Sequence, residues 1–383
     1  MNYYFIIQTI NVSVIRMANN LSNIAPPFII MIIATTMILV GCESPDPSLV
    51  FSSYRNGNLD IYSINPTTLE EVNLTNSRYD ESKPIVTQNG NEIVFLTKDA
   101  NRYFIETMPR NGGPRKQLTA NSNNLALFTN YAWSPNSDRL SFIQSITSTP
   151  TKSGLYIVET NDSIPMRLTS LTVHTGGNWS KDGSRVAFTV GDEYQQGTYV
   201  RNPNGVNEYR LTTTFDSNPT WSPVTNRIAF VSETNATSDI YLMDDDGSNI
   251  KRLTNDGYLE NQMSWSPDGR YILFVSKHKC WDAINLLDNC SDAIKKRESN
   301  GELDPDIFDP EIFIVDTRED NPQPKQLTHN SILDETPVWA PDGSRIAFVS
   351  YLDGDAEIFT MSSAGGNQQR LTNNIYEDKN PSW

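Results

Sequence analysis

The sequence predicts an all-β protein, folded as one closed β-propeller of seven four-stranded blades. Three observations carry this. The dipeptide Leu-Thr recurs periodically, starting at Leu74, Leu118, Leu168, Leu211, Leu253, Leu327 and Leu371, with spacings of 44, 50, 43, 42, 74 and 44 residues. Between the copies stand Trp133, Trp179, Trp221, Trp265, Trp339 and Trp383, with Val86 in the remaining copy, and most are followed by Ser-Pro-Asp-Gly or a relative of it. The repeat region starts on a second strand at Leu49–Ser53 and stops on a first strand at Pro381–Trp383, so the last strand completes the first blade. Such closure leaves no open seam, and six blades would leave one copy unpaired.

Each strand follows from local chemistry. Trp265-Ser266-Pro267-Asp268-Gly269 ends a first strand in a hairpin turn: Pro presets φ, Asp suits the next position, and Gly takes the left-handed conformation after it. The second strand is β-rich, with a central Phe in every copy: Phe51, Phe95, Phe142, Phe188, Phe230, Phe274 and Phe348. Asp60-Ile61-Tyr62, Leu155-Tyr156-Ile157, Asp239-Ile240-Tyr241, Glu311-Ile312-Phe313 and Glu357-Ile358-Phe359 mark third strands, and the Leu-Thr element closes a fourth.

This repeat resembles the TolB-type, WD-like propeller repeat over residues 49–383. The resemblance implies the fold without implying one function, because the same repeat occurs in TolB, in the propellers of prolyl-oligopeptidase-like peptidases and in envelope lipoproteins. TolB carries an α/β domain before its propeller, whereas here only Glu43–Ser48 separate Cys42 from the first strand, so TolB's partners do not carry over. Peptidase relatives carry a hydrolase domain with a nucleophile elbow; this sequence has no Gly-x-Ser-x-Gly, which disfavours peptidase activity.

Ahead of the repeats, Phe28–Val40 is a thirteen-residue apolar run, short for a membrane span and typical of a signal-peptide core. Leu39-Val40-Gly41-Cys42 resembles a bacterial lipobox, which implies a signal peptide over 1–41, lipid on Cys42, a tether over 42–48 and an envelope location. Without residues 1–41 the chain has 29 basic and 46 acidic residues, a net charge of −17. That field repels nucleic acid and anionic lipid and favours cations and basic protein surfaces. In an oxidising envelope Cys280 and Cys290 are a plausible disulfide that staples a local loop.

Strand alternation puts the loops entering first strands and the loops between second and third strands on one face of the disc, the loop face, and the hairpin turns on the other. Five residues before each core Trp, or before Val86, stand Glu81, Phe128, His174, Asp216, Glu260, Asp334 and Asp378. The five carboxylates are expected to encircle the channel mouth, where they would hold a hard cation such as calcium or receive Lys and Arg from a partner. Equally, each would accept hydrogen bonds from its own turn. The 74-residue spacing reflects an insertion over 277–310 on the same face, carrying Cys280, Trp281, Cys290 and the basic patch Lys295-Lys296-Arg297, in the manner of a recognition loop. Asp244-Asp245-Asp246-Gly247 reads as a turn, and His174, His278 and His329 lack metal-pair spacing. A tether of six residues reaches at most about 20 Å, so the turn face should look at the membrane. Together these features predict a monomeric, lipid-anchored, non-catalytic propeller that binds an envelope protein or glycan. The competing expectation is a metal-assisted carbohydrate-active enzyme, a lyase or hydrolase, with His174 at the channel mouth.

Overall fold

The computed structural model describes residues 48–383 apart from 56, 120–125, 147–148, 163, 235–236, 256–258, 278–309, 331 and 353. Every regular element among the described residues is a strand. They form seven blades of four antiparallel strands, and the fifth and sixth share a single parallel bridge between Ser238 and Leu259. First strands of the second to seventh blades are Asp80–Val86, Ala126–Trp133, Val173–Trp179, Asp216–Trp221, Leu259–Trp265 and Asp334–Trp339.

The first blade closes the ring as expected. Asp378–Ser382 pairs antiparallel with Leu49–Arg55, with Val50 opposite Ser382 and Ser53 opposite Asp378. Asn58–Ile64 and Glu71–Asn73 then complete that sheet. Closure removes the free inner edges that an open sheet would present for aggregation.

Burial explains the recurring Phe. All seven are fully buried in their second strands. In six blades each faces an aromatic of the third strand: Phe51–Tyr62, Phe142–Tyr156, Phe188–Tyr199, Phe230–Tyr241, Phe274–Phe313 and Phe348–Phe359, with ring centroids 5.6–5.9 Å apart. Each buried ring contributes roughly 1.5–3 kcal/mol of transfer free energy, and the aromatic pairing adds about 0.5–1.5 kcal/mol. The second blade departs from this: Phe95 faces Glu106, and the Arg115 guanidinium lies over its ring at 5.7 Å.

Blades pack on one another through mixed clusters. Val50 and Ile61 of the first blade meet Val86, Ile93, Phe95 and Met108 of the second, and Ala187 and Val200 of the fourth meet Trp221, Ile228, Phe230 and Met243 of the fifth. The core tryptophans wedge between blades. The Trp179 indole N–H donates to Ala132 O at 3.1 Å and that of Trp265 to Thr220 O at 3.2 Å, each a carbonyl of the preceding blade. Arg139, Arg185 and Arg345 stack on the Trp of the following blade at 4.9–5.1 Å.

The Leu-Thr element corrects one expectation. Fourth strands are only two or three residues long and end just before it, as Lys251–Arg252 does before Leu253. Each Leu N–H still bonds a third-strand carbonyl, for example Leu253 N to Ile240 O at 2.7 Å; five of the seven Leu side chains are buried, and Leu74 and Leu211 are half-buried. The Thr hydroxyl accepts the next free third-strand N–H in six blades: Ile61, Ile105, Thr198, Ile240, Ile312 and Ile358 donate over 2.8–3.0 Å. Leu fills the core and Thr caps the strand, which is why the pair recurs. The Asp244–Gly247 segment forms the expected turn, with Gly247 N on Asp244 O at 3.0 Å.

Candidate functional site

First strands form the inner ring and their starts define the loop face. The five expected carboxylates open or nearly open these strands, and all are at most 3% exposed: Glu81, Asp216, Glu260, Asp334 and Asp378. Asp216 accepts from Thr198 at 2.9 Å, Thr214 at 2.8 Å and Thr212. Asp334 and Asp378 each take the amide of the Asn four residues earlier, Asn330 and Asn374, at 2.8 Å. Asp378 also pairs with Arg55 at 3.1 Å, and Glu81 is held by Ser77 at 2.5 Å and Arg115 at 2.8 Å. The Glu260 carboxylate is buried, and its backbone N–H bonds Ser238.

Bonds from Ser77, Thr214, Asn330 and Asn374 match the alternative in which each carboxylate accepts from its own turn. The five carboxylates belong to five different blades, and among the described residues no three His, Cys, Asp or Glu side chains gather as a metal-holding group. For Glu81, Asp216, Asp334 and Asp378 the loop that follows Leu-Thr supplies one donor, Ser77, Thr214, Asn330 and Asn374, and so ties the strand to the preceding inter-blade connection. Burial pushes Glu81 and Asp378 above the ordinary carboxylate range, against the opposing pull of hydrogen bonds and of Arg115 and Arg55.

A companion set of carboxylates went unassigned as sites in the sequence. Asp60, Asp239, Glu311 and Glu357 start or lie near the start of third strands and are buried. Thr75 donates to Asp60 at 3.1 Å, Arg252 to Asp239 at 2.5 Å, and Thr328 to Glu311. Glu357 receives Thr372, Arg370 at 2.8 Å and Asn374 N at 2.7 Å. The signal was available: an acid before Ile-Tyr or Ile-Phe, with Leu-Thr fourteen to sixteen residues on.

The two interruptions of the ring behave differently. Phe128 is buried edge-on against Phe142 at 5.5 Å. His174 is exposed on the loop face and lies 5.5 Å from the Phe215 ring. His329 is exposed after Thr328. Cys42, His278, Cys280, Trp281, Cys290, Lys295, Lys296 and Arg297 lie outside the described residues. The insertion leaves the sixth blade at Lys277 and returns at Pro310, between its second and third strands.

The channel wall holds a second sevenfold feature that sequence reasoning missed. Every first strand breaks register, and the third residue before each Trp position has positive φ: Lys83, Asn130, Gly176, Asn218, Gln262, Thr336 and Asn380. A β-bulge of this kind turns backbone groups out of the ladder. Some of these groups are recaptured by the neighbouring blade: Thr336 N donates to Gln262 Oε1 at 2.6 Å, and Asn218 N to Thr175 Oγ1 at 2.7 Å. Apart from the buried Gly176 these residues are exposed or half-buried on the innermost strands, and Asn130, Asn218, Gln262, Thr336 and Asn380 give the channel amides and a hydroxyl. At its turn-face mouth a cavity of about 370 Å³ lies between the second and fifth blades, edged by Trp133, Trp179 and Trp221, with Lys181 at its rim.

The faces differ in regularity. The turn face repeats one hairpin, with Gly269 N on Ser266 O and Gly343 N on Ala340 O, both at 2.9 Å. On the loop face, connections between second and third strands run from the two residues between Arg55 and Asn58 to the long segment between Lys277 and Glu311. Tyr54, Tyr194, Leu352, Ile375 and Tyr376 stand exposed there.

No protein-family model matches the chain. Solved structures do: TolB from Acinetobacter baumannii superimposes with a TM-score of 0.54 at 17% identity, covering 88% of this chain and 82% of that one. The fold is a TolB-type seven-bladed propeller. An oligogalacturonate lyase in complex with manganese gives 0.57 at 14% identity, over 84% of each chain. A puromycin hydrolase gives 0.62 at 10% identity, over 86% of this chain and 53% of its own. At these identities the TolB-type propeller shares a fold with all three and nothing finer. Among curated proteins, the uncharacterized peptidase YuxL of Bacillus subtilis (strain 168) is 34% identical over 79 residues, which span 20% of this chain and 12% of that protein.

Proposed function

We propose that this protein is a non-catalytic binding propeller of the bacterial cell envelope, lipid-anchored through Cys42, that docks a protein or glycan on its loop face. The observation that carries this reading is the contrast between the faces. One repeats a single hairpin between first and second strands, while the other carries connections of widely differing length and the 277–310 insertion; exposed apolar side chains stand on both. Irregular loops on a rigid scaffold are where recognition concentrates. The buried carboxylates are engaged by hydrogen bonds, and the channel wall offers amides and a hydroxyl.

The test is capture after cross-linking from envelope extracts, comparing the intact lipoprotein with a variant in which residues 280–309 are replaced by a short turn. Capture of one defined protein or glycan by the intact form only supports the reading. Equal capture by both forms removes the insertion from the docking face. Incorporation of labelled palmitate that is lost in Cys42→Ser tests the anchor, and labelling that persists in the variant rejects it.

A further inference from the structure

We infer that the loop face over the seventh and first blades is a docking patch for a basic protein segment bearing an apolar anchor. The inference rests on the reading of the protein as a binding module and names the chemistry of its partner.

Apolar side chains come first. Ile375 is 85% exposed, Leu352 52% and Tyr376 39%, with Tyr54 at 50% beside them. The backbone makes them neighbours: Asp378 N bonds Ala356 O at 2.8 Å and Tyr54 N bonds Glu377 O at 3.3 Å. These bonds clamp the 373–377 loop between the loop that carries Leu352 and the hairpin that carries Tyr54. Exposed apolar side chains from three adjoining loops form a patch, unlike single exposed residues scattered over a surface.

The charge around the patch is acidic. Glu335, Asp355 and Glu377 belong to the same loops and strand starts. The one lysine among them, Lys379, is already held by Glu377 and lies 5.5 Å from the Tyr351 ring. Glu335 accepts the Tyr351 hydroxyl at 3.0 Å. Asp355 has a carboxylate oxygen, Oδ2, that is shielded from solvent and has no hydrogen-bond partner. A carboxylate left short of donors beside an apolar surface is complementary to Lys or Arg arriving with an aliphatic or aromatic anchor, since unmet acceptors are costly and the incoming cation supplies the donor. An acidic or uncharged partner would leave that oxygen unmet.

A fluorescein-labelled peptide of alternating Lys and Leu is the probe, read by anisotropy against the whole mature protein. Binding is expected to weaken at least about tenfold in the double variant Leu352→Ser/Ile375→Ser, and about threefold or more in Asp355→Asn/Glu377→Gln. It should also weaken with salt. Ile164→Ser on the turn face should bind as wild type does, and a Glu–Leu peptide should not bind. Unchanged affinity in the loop-face variants, equal binding of the Glu–Leu peptide, or no binding of the Lys–Leu peptide overturns the proposal. So does sedimentation showing a dimer that Ile375→Ser dissociates, which would assign the patch to a second copy. Any of these leaves the capture experiment on the insertion free to succeed or fail by itself.

Discussion

Replacing Thr372 with Val tests the structural grammar of the repeat, because Val keeps the shape and removes the hydroxyl. In the folded protein Thr372 Oγ1 accepts Ile358 N–H at 2.9 Å and donates to the Glu357 carboxylate, and both residues are buried. The substitution leaves a buried N–H unmet, at about 1–3 kcal/mol, and takes one donor from a carboxylate, worth about 1.5–3 kcal/mol. Glu357 retains Arg370 at 2.8 Å and Asn374 N at 2.7 Å, and the added methyl is buried, so the net loss should be about 2–4 kcal/mol. Urea unfolding of residues 43–383 measures it as a fall in midpoint at constant m-value. Thr372→Ser, which keeps the hydroxyl, should lose under about 1.5 kcal/mol. If Val is tolerated within about 0.5 kcal/mol, or if Ser is as damaging as Val, the strand-capping role of Leu-Thr is wrong.

Further outcomes follow from the same contacts. Phe348→Ala, which empties the centre of a blade, should cost about 3–5 kcal/mol in the same assay; a loss under 1.5 kcal/mol would mean the blade core is not organised around it. Arg55→Met leaves the buried Asp378 carboxylate without its guanidinium across the ring closure and should cost about 3 kcal/mol at neutral pH. Burial holds Asp378 above its ordinary range, so its contribution is fully present below the unfolded value and is lost as pH rises through the folded one. Wild type should therefore gain on Asp378→Asn as pH falls from neutral towards about 4, and a gap that stays constant or widens the other way contradicts this. Asp182 behaves oppositely: hydrogen bonds from Ser180 and Ser184 hold it at about 2, so its stabilisation is present above the usual Asp value and lost as pH falls through about 2. The penalty of Asp182→Asn should be seen in full at pH 6 and shrink steeply as pH falls towards 2.

Much of the architecture was legible because the repeat carries it. Phe, Trp and the Ser-Pro-Asp-Gly turn each serve one requirement of a blade, and seven copies let each position be checked against the others. Val86 and Glu106 show where that logic bends, since a single blade can replace an aromatic without losing its place in the ring. The site was less legible. Asp216, Asp334 and Asp378 stand where strand polarity puts them, yet spacing alone does not reveal that Thr and Asn four residues earlier engage their carboxylates. The bulges at Asn218 and Thr336 were missed because a left-handed residue inside a strand has no signature in hydrophobic alternation. Exposure of Ile375 and Leu352 was invisible for a related reason: their loops are irregular, and only the fold shows that they adjoin.

Face-selective photo-crosslinking in the envelope tests the central claim most directly. Benzoylphenylalanine placed at Tyr194, Leu352 or Ile375 on the loop face is compared with the same group at Val224 or Ile164 on the turn face, all exposed positions. The account predicts one discrete adduct, shared by two or more loop-face positions and missing from both turn-face positions. The same adduct from the turn face with none from the loop face would contradict it.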